Sequence, residues 1–326
     1  MNHNHLIKPY TQEEFVQTAL SIFRFQAKNT LVYKDFLAHI QCNPEQVKTL
    51  EQIPFLPISF FKTHPVIHQS AQVQFKFLSS GTTNANRSKH LIVSPQLYEM
   101  SFLRGFEMFF GSIKDFTILA LLPSYLEQQN SSLVYMVNHL IQATEHSDSG
   151  FYLHNYLELI KKLNYLEKVG RKTILIGVTY ALLDLLDLKQ FELKHTLVME
   201  TGGMKGRRQE IIKEELHQTL KSGFGVNTIY SEYGMTELLS QAYSMGSTYF
   251  KPSPWMKVLI REVEDPFAFL PNESSGGINI IDLANVFSCS FIETQDLGKT
   301  HADGTFEVLG RFDHSDIRGC NLMMGS

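Results

Sequence analysis

Apolar positions in this chain are spaced first for helices and later for strands. Phe15, Ala19 and Phe23 recur at helical spacing behind Thr11-x-x-Glu14, a capping box whose two side chains satisfy backbone donors that a first helical turn leaves unpaired. A second helical pattern covers residues 31–40. Pro54 and Pro57 then bar a helix, so residues 53–61 are expected to run extended. Residues 1–70 read as a helical cap. The alternation of Val73, Phe75 and Phe77 predicts a strand, and Ser94 followed by Pro95 predicts a helix start. Residues 116–122 are a short apolar run closed by Pro123, and a helix is expected over residues 132–142.

The order strand, loop, helix then repeats. Residues 173–176 are strand-like, Gly177 marks a turn, and 180–188 are helical; 196–199 are strand-like, Gly202-Gly203 turns, and 207–220 are helical. Such units in series imply a mostly parallel sheet covered by helices on both faces, with ligands beyond the carboxyl ends of its strands. After Gly246 the character shifts, and 257–263, 277–282, 286–293 and 305–309 read as strands with few helices between them. The expected class is α/β: a cap over 1–70, an α/β core over 71–245, and a β-rich subdomain with a hinge tail over 246–326.

Composition narrows the function. The chain has 326 residues, 43% hydrophobic and 19% charged, with a net charge of −4, so no global basic field argues for a nucleic-acid partner. No apolar run is long enough to span a bilayer, and MNHNHLIKPY has no signal-peptide core. Cys42, Cys289 and Cys320 are too few and too scattered for a disulfide framework, which makes the cytoplasm the expected compartment.

Candidate chemistry gathers in the loops. Residues 226–230 are a β-rich run that meets a turn at Gly234, inside the stretch YSEYGMTE at 230–237. A turn there offers the Thr236 hydroxyl and the Glu237 carboxylate, groups able to grip a phosphate, a metal ion or a polar substrate group. Alone, the stretch reads better as a plain turn with a solvated Glu. Ser79-Ser80-Gly81-Thr82-Thr83 packs hydroxyls around a glycine that lets the backbone approach a ligand, with Arg87 and Lys89 following as counter-charges, although composition alone fits an ordinary Ser/Thr-rich loop better. Asp296 follows a strand and suits either the two hydroxyls of a ribose or a simple turn. Gly310-Arg311-Phe312-Asp313 presents a surface Arg–Asp pair or an Arg aimed at a phosphate. Gly298-Lys299-Thr300 mimics the end of a Walker A loop, but that motif needs a glycine where this chain has Glu293.

Taken in order, these stretches resemble the motifs of the adenylate-forming superfamily of acyl-CoA synthetases, peptide-synthetase adenylation domains and luciferases. The phosphate loop is matched by residues 79–89 and the adenine loop by Thr201-Gly202-Gly203. The Tyr-Gly-x-Thr-Glu motif is matched by Tyr233-Gly234-Met235-Thr236-Glu237, the ribose aspartate by Asp296, and the Gly-Arg-x-Asp hinge by residues 310–313. Within that superfamily the chain is similar to the LuxE-type acyl-protein synthetases of bacterial bioluminescence. That likeness rests on Ile53-Pro54-Phe55-Leu56-Pro57-Ile58, Leu122-Pro123-Ser124-Tyr125-Leu126, residues 310–321 and the short C-terminus.

The resemblance implies the large domain of adenylate-forming enzymes, using ATP and Mg²⁺. It implies a fatty or aryl carboxylate attacking ATP to give acyl-AMP, then acyl transfer to a cysteine of the protein itself. Ser79, Ser80, Gly81, Thr82, Thr83 and Thr236 would hold phosphates, with Arg87 or Lys89 as the basic residue; Arg87 keeps the usual spacing. Glu237 would ligate Mg²⁺, Tyr233 and Gly234 would flank the adenine with Gly202 and Gly203, Asp296 would take the ribose hydroxyls, and Arg311 would lie near ribose or phosphate. The acyl pocket would draw on Ser124, Tyr125, Gly177, Val178, Thr179 and Tyr180. Cys320, beside Arg318, is the expected acyl acceptor, while Cys289, read as mid-strand, and Cys42 are expected to pack.

Three departures qualify the likeness. Asn84 stands where most members have a second loop glycine, although Asn accepts a positive φ, and Gln295 replaces a glycine before Asp296. The chain ends at Ser326, where typical members continue into a small mobile domain with a catalytic Lys; LuxE-type proteins lack it too, so an ordinary coenzyme A ligase is not expected. The competing expectations are transfer to the thiol of an acyl carrier protein or coenzyme A, and a non-catalytic acyl-binding partner of an acyl reductase.

Overall fold

A computed structural model describes residues 3–80, 87–124, 126–202 and 212–312. The chain opens with α1 (Gln12–Asn29), capped as its sequence predicts: Thr11 Oγ1 accepts from the Glu14 N–H while Glu14 Oε2 accepts from the Thr11 N–H. Then come α2 (Leu31–His39), β1 (Leu56–Pro57) and α3 (Phe60–Thr63). The expectation that residues 53–61 run extended holds for the first part, at Ile53 and in β1, whose register Ile58 N–H fixes by donating to the Glu293 carbonyl. Past Pro57 no further proline bars a turn, and Phe61 and Lys62 close back onto Ile58 and Ser59.

A two-stranded hairpin follows, β2 (Phe75–Leu78) with β3 (Lys89–Ile92). Next are α4 (Pro95–Phe110), β4 (Thr117–Leu121), α5 (Ser132–Ala143), β5 (Gly150–Phe151), α6 (Tyr156–Lys168), β6 (Thr173–Gly177), α7 (Thr179–Leu188), β7 (Thr196–Glu200), α8 (Lys213–Phe224) and β8 (Ile229–Tyr233). The expected helix at 207–220 is thus described from Lys213 and runs on to Phe224, where Gly225 in the left-handed conformation ends it. β9 (Ala242–Ser244) and β10 (Lys251–Pro252) complete a sheet ordered β10-β9-β8-β7-β6-β4-β5. Its β5 to β8 portion is parallel, and β9 and β10 add antiparallel. β4 and β6 are buried at every residue because helices cover both faces, which is why they read as continuous apolar runs. The chain leaves β4 for β5 on one side and returns to β6 on the other, and such a reversal opens a crevice at the strands' carboxyl ends. Gly177 ends β6 where a Cβ would lie 2.8 Å from the Leu121 Cβ, so a side chain there would push the strand ends apart.

The second sheet holds β11 (Met256–Arg261), β12 (Phe269–Leu270), β13 (Ser275–Asp282), β14 (Phe291–Thr300) and β15 (Phe306–Arg311), with β1 parallel on the first part of β14. The strand expected at 286–293 starts only at Phe291. Residues 285–290 form a turn pinned by Gln26, whose Nε2 donates to the Asn285 and Val286 carbonyls and whose Oε1 accepts from the Ser290 N–H. Cys289 therefore sits in that turn rather than mid-strand; it is fully buried, and burial pushes its thiol up to about 12. Phe23, Tyr33 and Phe55 pack their rings against Phe291, so the N-terminal helices build on this second sheet. No described helix is long and apolar enough to cross a membrane.

Candidate active site

The carboxyl ends of β6, β7 and β8 and the β2–β3 hairpin face one cleft of about 840 Å³. Ser79, Ser80, Arg87, Val178, Gly202, Gly234 and Thr236 line it, so four of the separate stretches that sequence singled out meet there. Residues 128–133 and Met136, ahead of and within α5, line the cleft as well. Gly81, Thr82, Thr83, Asn84, Tyr125, Gly203, Asp313, Arg318 and Cys320 lie outside the described residues.

Local hydrogen bonds fix each edge of the cleft. Ser79 closes the neck of its loop: its N–H donates to the Ser88 carbonyl and its Oγ accepts from the Ser88 N–H. Arg87 turns into the cleft, whereas Lys89 opens β3 with its side chain exposed and off the lining. Gly202, at φ 71°, lets the chain turn sharply after β7; its N–H donates to Glu200 Oε2 at 2.7 Å, and its carbonyl accepts from the Thr179 N–H. Thr201 N–H in turn donates to the Gly177 carbonyl, so Gly177, Val178 and Thr179 are stitched to the Thr201-Gly202 turn. Tyr180 follows in α7 and is buried. Ser124 spends both its N–H and its hydroxyl on Glu127 Oε2, at 2.7 Å each, and it is Glu127 that reaches the cleft.

β8 carries the central groups on alternating faces. Tyr233 donates its hydroxyl to Asp296 Oδ2 at 2.8 Å, and Arg311 Nε lies 3.2 Å from Asp296 Oδ1. Asp296 and Arg311 are register partners between β14 and β15, which is why residues so far apart in sequence pair directly. Burial pushes the Asp296 carboxyl up, against the pull of the Tyr233 hydroxyl and the Arg311 charge. Glu237 is only 5% exposed, so the plain reading of a solvated carboxylate does not apply. Burial pushes it up too, while a hydrogen bond from Ser88 holds it toward the charged form.

Three groups here were not singled out from sequence. His90 sets Nδ1 2.8 Å from the Thr236 carbonyl and Nε2 3.0 Å from Asn285 Oδ1, while Asn285 Nδ2 donates to the Glu237 carbonyl. This clamp ties the hairpin behind the Ser/Thr loop to the Thr236–Glu237 turn. The two oxygens favour a charged imidazole, but burial outweighs them and lowers it to about 4. Asp282, ending β13, accepts from the N–H groups of Leu239 and Ser240 and the Ser240 hydroxyl; burial raises it to about 6 against these donors. For Asn285 no local signal exists, since its side-chain partners lie over 40 residues away; Asp282 also accepts from the Ala284 N–H two residues on, a local turn not singled out from sequence. Among the described residues no group of three or more His, Cys, Asp and Glu side chains is placed to hold a metal ion. A cation bound through one carboxylate and phosphate oxygens requires no such group.

Solved structures with the same fold are adenylate-forming ligases. The chain is similar to ATP-bound MatB from Rhodopseudomonas palustris, with 18% identity and a TM-score of 0.55 over 73% of this chain and 48% of that one. It is similar to 2-hydroxyisobutyryl-CoA ligase in an open conformation with 2-HIB-AMP and CoA, with 12% identity and a TM-score of 0.67 over 93% and 70% of the two chains. A long-chain-fatty-acid-CoA ligase, FadD1 from Archaeoglobus fulgidus, matches with 14% identity and a TM-score of 0.53 over 76% and 53%. The chain thus spans about half the length of MatB. No curated protein matches it. The family model of the LuxE acyl-protein synthetases matches residues 9–326, and the chain belongs to that family.

Proposed function

We propose that this protein activates a carboxylic acid, fatty or aryl, as its acyl-AMP and passes the acyl group to a thiol, with Cys320 as the acceptor. The observation that carries the reading is the meeting of Ser79, Ser80, Arg87, Gly202, Gly234 and Thr236 around one cleft at the sheet's carboxyl edge. In the first step a carboxylate oxygen bonds to the α-phosphorus of ATP, the bond to the bridging oxygen breaks, and pyrophosphate leaves. In the second the Cys320 thiolate bonds to the acyl carbon and AMP leaves. Ser79, Ser80, Thr236 and Arg87 hold phosphates, Gly202, Tyr233 and Gly234 flank the adenine, and Asp296 takes the ribose hydroxyls beside Arg311. Val178 and its neighbours Gly177, Thr179 and Tyr180 border the acyl group.

Glu237 suits a cation-bearing nucleotide, since burial opposes its charge until a counter-cation arrives. Glu237 would hold Mg²⁺, which when bound neutralises phosphate charge. The chain's own contribution is positioning and preorganised charge. The segments 1–70, 71–245 and 246–326 act as one adenylating unit.

The test is intact mass after incubation with ATP, Mg²⁺ and a panel of fatty and aryl acids. An added acyl mass that hydroxylamine removes and Cys320→Ser abolishes is the expected result. Pyrophosphate release without mass gain moves the acceptor to a carrier protein or coenzyme A. No pyrophosphate with any acid favours a non-catalytic partner of a reductase.

A further inference from the structure

Glu232 belongs to no step above, yet it lies where the cleft meets a small apolar pocket. Alternation along β8 sends Ser231 and Tyr233 to one face and Glu232 to the other, under α4 and α5. There it lines both the cleft and a pocket of about 10 Å³ walled by Phe106, Ile118, Met136, Met199 and Tyr243. That pocket has room for at most about one water, so an alkyl tail cannot extend behind Glu232. Glu232 is 9% exposed, and among the described residues its carboxyl has no hydrogen-bond or ion-pair partner. The Tyr98 hydroxyl, which also borders the cleft, is spent on the Ser132 carbonyl. A Cβ on Gly234 would lie 2.5 Å from Glu232 Oε1, so glycine at that position is what leaves the carboxyl its place beside the Tyr233–Glu237 turn.

Packing alone does not account for such a group. A buried carboxyl without a partner costs stability that a Leu of similar size would not, and residues kept against stability mark function. We propose that Glu232 is a specificity-determining residue, and that it selects a carboxylic acid bearing a hydrogen-bond donor, a hydroxyl or an ammonium, over the alkyl acid of the same shape. This rests on the acid-activating reading of the cleft and narrows its substrate class. Burial, with the Glu200 charge adding to it, raises Glu232 to about 8, so at neutral pH the carboxyl is protonated and both gives and accepts a hydrogen bond. A hydroxyl meets it in that form; an ammonium draws it to the carboxylate. A site built around a buried polar group rejects the analogue that leaves it unpaired more strongly than an apolar pocket rejects an extra methylene.

The experiment measures kcat/KM for pyrophosphate release with matched alkyl, hydroxy and amino acids, the substituent moved along the chain, in wild type, Glu232→Gln and Glu232→Leu. Wild type is expected to favour a donor-bearing acid by about tenfold or more. Glu232→Leu loses that preference, and Glu232→Gln keeps it for the hydroxyl but not for the ammonium. The same acids are also ranked by melting-temperature shift without ATP, which separates this inference from the chemistry. Shifts that follow the donor, with no pyrophosphate from any acid, support the assignment of Glu232 while overturning acid activation. Identical rankings in wild type and Glu232→Leu overturn it. So does a Glu232→Leu protein of lower melting temperature with unchanged acid preference, since that is a purely structural role.

Discussion

The Tyr233 hydroxyl donates to Asp296 Oδ2 across 2.8 Å, joining the end of a strand in the parallel sheet to the longest strand of the second sheet. With Arg311 on the other oxygen, the carboxylate is held in one orientation while keeping lone pairs for a ligand. Asp296→Asn is expected to weaken ATP binding by about tenfold or more. Tyr233→Phe should weaken it less and cost about 1–3 kcal/mol of stability, because a buried acceptor loses its donor. Calorimetric titration with ATP and urea unfolding read the two effects, and an unaltered ATP affinity in Asp296→Asn would remove Asp296 from the site.

Glu237→Gln separates folding from catalysis. Burial raises this carboxyl, so an uncharged isostere is expected to leave the melting temperature unchanged or higher, while pyrophosphate release falls by about a hundredfold or more. Because holding a cation requires the ionised form, wild-type activity should fall as pH drops through the raised value. Glu237→Gln should be flat over that range. Retained activity in the variant would exclude Glu237 as the cation's ligand.

His90 and Glu232 drive stability in opposite directions with pH. The His90 ring titrates at about 4 in the native state, below its ordinary 6.5, so its contribution is present above 6.5 and is lost as pH falls toward 4. Glu232 titrates at about 8, above its ordinary 4.5, so its contribution is present below 4.5 and is lost as pH rises toward 8. Each gives a slope of at most about 1.4 kcal/mol per pH unit. Urea midpoints of His90→Asn should show a shallower decline on the acid side than wild type, and those of Glu232→Leu a shallower decline between 4.5 and 8. Parallel curves in all three proteins would show that neither group is linked to folding.

Phe291→Ala tests how the N-terminal helices are held. Its ring meets Phe23, Tyr33 and Phe55, so truncation opens a cavity shared by α1, α2 and the second sheet, with an expected cost of about 3–5 kcal/mol. Proteolysis should then cut first within residues 1–70. A loss under 1 kcal/mol would mean that these helices are held from elsewhere.

The parallel sheet was legible because burial on both faces leaves a mark in one dimension: Ile118–Leu121 and Ile174–Ile176 are unbroken apolar runs, and the Thr11 and Ser94 caps are local. Elements decided by distant partners were not. β14 starts at Phe291 because Gln26, from the other end of the chain, holds the preceding turn. Residues 53–61 leave their extended course after Pro57, where pairing with β14 ends and Phe61 and Lys62 bond back to Ile58 and Ser59. Within the site, the Tyr233–Glu237 turn was readable as a motif. Glu232, inside the same stretch, gave no sign, because its meaning depends on what faces it rather than on what flanks it.

The pairing of Phe75–Leu78 with Lys89–Ile92 has a consequence for how this chain can change. His90 reaches Thr236 only because it occupies the inward parity of β3, opposite Phe77. Side chains alternate along a strand, so residues gained or lost between Ser79 and Ser88 leave that parity untouched. One residue gained or lost after Ser88 and before His90 would turn the imidazole outward and release the turn bearing Glu237. The hairpin therefore acts as an odd–even gate on variation, intolerant of a single step in its stem.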